Sequence, residues 1–376
     1  RLYPKATEAL DHITLDSPPA HIEADYALSL FAIGEAVDQE ATLVARHIAE
    51  TCSPDSFSLV TKISAVGPYV NIEIDKEAYY DQVLNYIIGR GERFGVGGEH
   101  KGQLVQLNYL DTNFRTTLVG QTIGKHYEVS GYSVDHHNFD LASPELKLIG
   151  REVISDALKS GLAEYISNTN AVISCQTADL PSVVIQKNDQ SLTTHTLQLA
   201  DYKRKLTTKI KPRVLIHVFP TEQATLVESL IANAKHLQYI SPETTVLTVP
   251  VSSMDMPKSF SIVDQAWRYA ILRTAPNKKI TIGEDDLLVY SRLIQFNSQL
   301  AKRNQTGTQE AFPLLRLLAA FPEVLANVRH LNKPDYLCLY LEQITDLSDR
   351  LSVFKDERLQ KATAIVLKNG LGLLVP

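Results

Sequence analysis

The residues best placed to do chemistry lie between Gln103 and Asp140. Residues 103–109 read as a strand, and residues 115–130 carry apolar side chains at helical spacing. Gly131 stands where a helix ends, and Tyr132-Ser133-Val134 resumes a strand. Strand, turn, helix, strand is the opening unit of a nucleotide-binding sheet, in which N–H groups at the helix N-terminus hold phosphate oxygens. Here the turn is cut to a few residues around Asp111 and Asn113, so the working part of the unit is expected to be missing.

The elements that position this unit fall into three blocks, residues 1–101, 102–261 and 262–376. The first reads as an amphipathic helix over 26–50, strands over 56–63 and 69–74, and a helix over 76–88. It ends in Gly91-Glu92-Arg93-Phe94-Gly95-Val96-Gly97-Gly98, which precedes a strand where a phosphate loop would follow one, and so reads as a flexible linker. The middle block alternates strand and helix patterns, which implies a mainly parallel sheet. The last block is helical.

Composition agrees with a folded chain. The 376 residues are 44% hydrophobic and 21% charged, enough for two or three domains with cores. No apolar run approaches the roughly 20 residues that span a bilayer, so no membrane partner and a cytoplasmic setting are expected. The chain opens on Arg1 and not on Met, which leaves room for a short leader ahead of it. Cys52, Cys175 and Cys338 follow no metal-ligand spacing and read as reduced, mostly buried thiols. Net charge is −6, and from Ile262 onward 15 Lys and Arg face 12 Asp and Glu. The C-terminal block is therefore the candidate for contact with a polyanion, although an ordinary solvated surface fits so small an excess equally well.

The wording of the central stretch resembles the arginyl-tRNA synthetase family. Asn108-Tyr109-Leu110-Asp111-Thr112-Asn113 is similar to that family's E-Y-S-S-P-N block. Arg115-Thr116-Thr117-Leu118-Val119-Gly120 is similar to R-S-T-x-x-G, and Glu128 through Val134 to E-x-x-G-Y-x-V. Between the blocks only Phe114 remains, where the family has a loop with H-x-G-H whose histidines hold ATP phosphates. Further likenesses run in order along the chain. Asp25-Tyr26-Ala27 and Val66 to Ile72 resemble the additional N-terminal domain, which touches the outer corner of tRNA. Lys159 to Glu164, Val183 to Asp189 and Ile216 to Gln223 resemble catalytic-domain segments. Asp264 to Arg273 resembles the D-A-L-R start of the anticodon-binding domain, and Pro313 to Val324 its later helices.

The resemblance implies a three-part fold of the α/β plus α class: a small α+β N-terminal domain, a truncated Rossmann-like parallel-sheet domain, and a helical anticodon-binding bundle. It also implies a substrate pocket at Asn108, Asn113, Thr194, Gln198 and Gln223. Two of these, Asn108 and Gln198, stand where the family's carboxylates hold the arginine guanidinium. A second ATP loop is implied at Met256, Lys258 and Ser259, with Asp255 in place of its first lysine and Pro257 fixing its backbone. Anticodon contacts are implied at Tyr290, Arg292, Gln295, Phe296 and Asn297, with Lys302 and Arg303 one or two turns on.

The expectation is a family member without aminoacylation activity and without catalytic residues, which binds tRNA of the arginine type or a protein partner, and not DNA. A scaffold without tRNA and a weakly active ligase are the alternatives. No cofactor is expected, although active family members use ATP and magnesium, and no metal is expected. Asp135-His136-His137 shares its wording with a family of metal-dependent phosphoesterases. No accompanying D-x-D stands on an earlier strand, so the segment reads as a polar loop.

Overall fold

The structure is a computed structural model and describes residues 3, 15–16, 18–19, 21–111, 113–174, 180–206, 211–255, 264–300, 308–350 and 356–375. Its first elements are β1 (Leu15–Asp16), β2 (Tyr26–Ser29), α1 (Phe31–Val37), α2 (Ala41–Thr51), β3 (Val60–Val66), β4 (Tyr69–Ile74) and α3 (Lys76–Arg90). The strands form an antiparallel sheet in the order β1-β2-β4-β3. One helix over 26–50 is thus corrected to a strand and two helices. Residues 26–29 pair with Tyr69–Ile72 of β4, and Asp38, at φ 54°, closes α1 before α2 begins. The strand expected over 56–63 begins later, because residues 54–56 form a 3₁₀ turn started by Pro54.

The glycine-rich segment 91–98 is not a free linker. Phe94 is buried and stacks on Phe321 at 5.8 Å, while the Asn369 side chain donates to the carbonyls of Gly91 and Phe94. The Gly97 N–H donates to the Val129 carbonyl at 2.7 Å. Glycine is needed at position 95, where φ is +89° and a Cβ would lie 2.7 Å from the Phe321 ring.

Next come β5 (Leu104–Tyr109), α4 (Phe114–Val129), β6 (Ser133–Asn138), α5 (Pro144–Lys159), β7 (Ala163–Tyr165), β8 (Val172–Ser174), β9 (Val184–Gln186), α6 (Thr194–Lys205), β10 (Val214–Pro220), α7 (Ala224–His236) and β11 (Thr245–Val251). A parallel sheet has the order β11-β10-β5-β6, and β7-β8-β9 form a small antiparallel sheet beside it. Asp135-His136-His137 lies on β6 and not in a loop, because it pairs in register with Gln106-Leu107-Asn108. Being consecutive in a strand, the two histidines face opposite sides of the sheet and cannot share one ion.

Side chains of β5 alternate between two surroundings. Val105, Leu107 and Tyr109 join the apolar core around α4, while Gln106 and Asn108 face the layer of α6. On α4, Gly120 and Gly124 let the rings of Tyr109 and His136 lie flush, since a Cβ would come within 2.4 Å of the first and 2.6 Å of the second. Gly120→Ala is therefore expected to destabilise the protein by about 2 kcal/mol through overpacking, read as a lower urea midpoint.

The chain closes with α8 (Gln265–Leu272), α9 (Glu284–Gln299), α10 (Thr308–Ala319), α11 (Phe321–Leu331), α12 (Asp335–Arg350) and α13 (Glu357–Leu374). A continuous hydrophobic core runs from α3 through β5 and α4 into these helices. Arg273, which caps the end of α8, holds Glu342 of α12 with two bonds, at 2.7 and 3.0 Å. Among the described residues, no single helix is long and apolar enough to cross a membrane.

Candidate functional site

In a parallel sheet of this order, the chain leaves β5 toward β6 and returns on the other side through β10. The crevice outside the C-terminal ends of β5 and β10 is the place where such sheets bind ligands. Here it is a cavity of 370 Å³ lined by Asp111, Asn113, Arg115, Glu222 and residues 251–254, among others. The connection from Tyr109 to α4 is residues 110–113 alone. Asn113 caps the helix, its Oδ1 accepting from the Thr116 N–H at 2.9 Å. The Asp111 carboxylate in turn accepts from the Asn113 N–H at 3.0 Å and from its Nδ2 at 3.1 Å. The positive end of the helix dipole is thus already met by an amide and an anion of the chain itself.

Arg115, the next charged residue, is 3% exposed. Its Nη1 donates to the carbonyls of Ser252 at 2.7 Å and Lys278 at 2.8 Å, and its Nη2 to Ala275 at 3.1 Å. Burial lowers its pKa to about 10, which still leaves it charged at neutral pH. The guanidinium ties α4 to the segments on both sides of residues 256–263 through bonds to their carbonyls. Met256, Lys258 and Ser259 lie outside the described residues; Asp255, just before them, pairs with Lys279 at 3.2 Å. Asp111 and Glu222 put two carboxylates in the lining of this crevice, beside the engaged guanidinium of Arg115.

The sequence-derived pocket residues do not share one exposed cavity. Asn108 is fully buried and Gln198 is 4% exposed, whereas Asn113 and Thr194 are exposed and Gln223 is half-buried. Asn108 sits beside His137 of β6 and His217 of β10, a row of polar residues across three strands. Gln106 Nε2 donates to Asn108 Oδ1 at 2.5 Å, Asn108 Nδ2 donates to the Tyr202 hydroxyl at 3.1 Å, and that hydroxyl donates to His217 Nε2. Burial drives the His217 pKa down to about 3, so it is neutral and accepts this proton. Gln198 lies one turn before Tyr202 on the same helix. A neutral network of Gln106, Asn108, Tyr202 and His217 therefore fills the layer where the family resemblance puts anions.

One carboxylate does lie close by. Asp201 is fully buried and meets Arg204 at 2.5 Å, His137 at 2.8 Å and Lys205 at 2.9 Å. Burial raises its pKa, but the bonds from His137 and Lys205 outweigh burial and bring it to about 2. Sequence reasoning missed Asp201, Tyr202 and His217, and read His137 only as part of a polar loop. The available signal was polar residues two apart in β5 and a histidine within the apolar run Leu215-Ile216-His217-Val218.

The helical face proposed for anticodon contact needs correction. Phe296 is 3% exposed and belongs to the core, because it lies three residues after Leu293 on the inward side of α9. Tyr290 is half-buried, its hydroxyl donating to Gln265 at 2.5 Å and its ring resting 5.7 Å from Tyr269. Neither ring is free to stack on a base. Arg292 and Gln295 are exposed and Asn297 is half-buried, while Lys302 and Arg303 lie outside the described residues. The adjoining cleft sets Glu342, Asp346 and Asp349 against Arg273 and Arg292, and α9 opens with Glu284-Asp285-Asp286. This described surface is acidic.

No protein-family model matches the sequence. Among curated proteins, the arginine–tRNA ligase of Halothermothrix orenii is 28% identical over 135 residues, 34% of this chain and 23% of that one. The arginine–tRNA ligase of Lactobacillus johnsonii is 34% identical over 118 residues, 29% of this chain and 20% of that one. The sequence matches thus span less than a quarter of those relatives' length. Among solved structures, the arginyl-tRNA synthetase of Thermus thermophilus has a TM-score of 0.72 at 13% identity, covering 100% of this chain and 99% of that one. The enzyme of Plasmodium falciparum has a TM-score of 0.69 at 11% identity, covering 99% and 97%. Local sequence identity to arginine–tRNA ligases, and a fold shared with arginyl-tRNA synthetases over the whole chain, make this an arginyl-tRNA synthetase-like protein.

Proposed function

We propose that this chain is an arginyl-tRNA synthetase-like protein that does not aminoacylate and that acts by binding. The observation that carries the reading is the α4 N-terminus, reached four residues after β5, capped by Asn113 and overlain by the Asp111 carboxylate. A phosphate arriving there meets an anion and a helix end whose Thr116 N–H is already engaged. Asn108 and Gln198 add to this support, because neutral buried amides offer a guanidinium no charge. Neither ATP nor magnesium enters the proposed activity. Residues 1–101, 102–261 and 262–376 are assigned as the tRNA-corner, degenerate Rossmann-like and anticodon-type units of this protein.

The direct test is arginine-dependent exchange between pyrophosphate and ATP. No exchange above background is expected at saturating arginine and ATP, whereas turnover within a hundredfold of a complete arginine–tRNA ligase overturns the proposal.

For the binding partner, tRNA of the arginine type follows from the family. A protein-interaction scaffold without tRNA is the second reading, favoured by the acidic cleft between α9 and α12. Titration with arginine tRNA and a non-cognate tRNA at two salt concentrations separates them. Tight binding that prefers arginine tRNA selects the first reading; no binding, or equal salt-sensitive binding to both, selects the second.

A further inference from the structure

The parallel sheet carries a second cavity at its other end. Leu104 begins β5, and the cavity of 270 Å³ that it lines lies past the C-terminal end of α6, far along the strands from the crevice where Asn113 caps α4. Whether that crevice is active has no bearing on it. Its floor is one row of the sheet: Asp135, Gln106 and Leu215 stand side by side on β6, β5 and β10, and Leu104 precedes Gln106 by two residues on the same face. Tyr202 and Leu206 at the end of α6, with Tyr239 and Ile240 in the turn after α7, supply most of the walls.

The hydrogen bonds of the adjoining row run in one direction and end here. Neutral His217 accepts from the Tyr202 hydroxyl, whose oxygen accepts from Asn108 Nδ2, so Asn108 presents Oδ1 to Gln106 Nε2. The last acceptor in the series is Gln106 Oε1. Gln106 is 4% exposed and lines the cavity, and among the described residues its Oε1 accepts no hydrogen bond. A buried carbonyl oxygen without a donor is costly, so a ligand that donates is favoured. Charge does not select that ligand. Asp135 and Lys211 line the cavity with opposite signs, and Lys205 is already held by Asp201 at 2.9 Å. Leu104, Leu206, Leu215 and Ile240 give the rest of the lining an apolar character, which suits an uncharged body.

We propose that this cavity binds a neutral two-ring aromatic molecule with one hydrogen-bond donor in the ring plane, indole being the simplest example. The donor meets Gln106 Oε1 and completes the series that starts at His217, while the rings lie over Leu104 and Leu215 beside Tyr202 and Tyr239.

The test is ligand-observed NMR titration of the full chain with indole and with benzofuran, which keeps the two-ring shape and has an ether oxygen in place of the N–H. Saturable binding of indole is expected, with a dissociation constant of about 1 mM or lower, and benzofuran should bind about tenfold more weakly. Gln106→Leu removes the acceptor and should bring the two ligands to equal affinity, which a general loosening of the fold would not do. Leu206→Trp, at a position 40% exposed on the edge of the cavity, should weaken indole by about fivefold or more while the melting temperature stays within a few degrees. Absence of saturable indole binding up to about 5 mM overturns the proposal, as does equal affinity of the wild type for the two ligands, or unchanged indole binding by Leu206→Trp. If Gln106→Leu fails to fold, the wild-type preference for indole and the Leu206→Trp titration decide alone.

Discussion

Lowering the pH from 7 to 5 is expected to remove about 6 kcal/mol of stability, most of what a protein of this kind commonly has. The source is three buried histidines. His126, His195 and His217 are each at most 3% exposed, and burial lowers their pKa values to about 4, 4 and 3. His126 Nδ1 donates to the Thr122 carbonyl at 2.8 Å, and His195 Nε2 accepts from Asn233 Nδ2 at 3.0 Å. In each, the folded state holds the neutral ring, while the unfolded chain titrates near 6.5. A depressed folded pKa gives stability that is complete above pH 6.5 and is lost as pH falls toward the folded values. At pH 5 each ring has lost about 2 kcal/mol, at 1.36 kcal/mol per unit.

Asp201 does not share in this transition. Its carboxylate, held at about 2, keeps its contribution until pH falls below the ordinary carboxylate range. Urea unfolding at half-unit steps from pH 7.5 to 5 checks the slope. A free energy that stays flat across that range contradicts the buried neutral assignment, and His126→Leu should reduce the slope by about a third.

The strand–helix–strand unit was legible in the sequence because its signals are local. Asn113 caps α4 through its own side chain, and Gly131 ends the helix at φ +95°. The parallel sheet followed from alternating patterns. What was not legible depends on register and on partners far away in the chain. Gln106 and Asn108 could be seen to share a face, but only the pairing of β5 with β6 and β10 sets His137 and His217 beside Asn108. In α9, Phe296 and Arg292 both fit an exposed recognition helix until the packing of α9 in the core fixes which side is inward. Residues 26–29 read as the start of a helix because four residues carry too little periodicity to outweigh the helical pattern that follows.

Restoring the carboxylate that the family resemblance implies is expected to harm this protein. Asn108→Asp puts an anion at a position with no solvent exposure, where the nearest donors are Gln106 Nε2 and the Tyr202 hydroxyl. Tyr202 can turn its proton to the new carboxylate only by abandoning His217, which then loses the bond to its Nε2. One neutral network becomes an uncompensated buried charge, costing about 3–5 kcal/mol. The folded state answers by holding the aspartic acid protonated, which raises its pKa above the unfolded value, so the deficit relative to wild type grows as pH rises and shrinks as pH falls. Comparison of the two proteins at pH 6 and pH 8 reads this sign. Arginine supplies the decisive arm. In a working pocket its guanidinium pairs with the new carboxylate, and 10 mM arginine lifts the melting temperature of the variant back toward wild type. Asn108 has no solvent exposure, so free arginine is not expected to reach the new carboxylate and the melting temperature of Asn108→Asp should not respond. A rise of several degrees with arginine, absent for wild type, would mean that the pocket is open and one substitution away from its ligand.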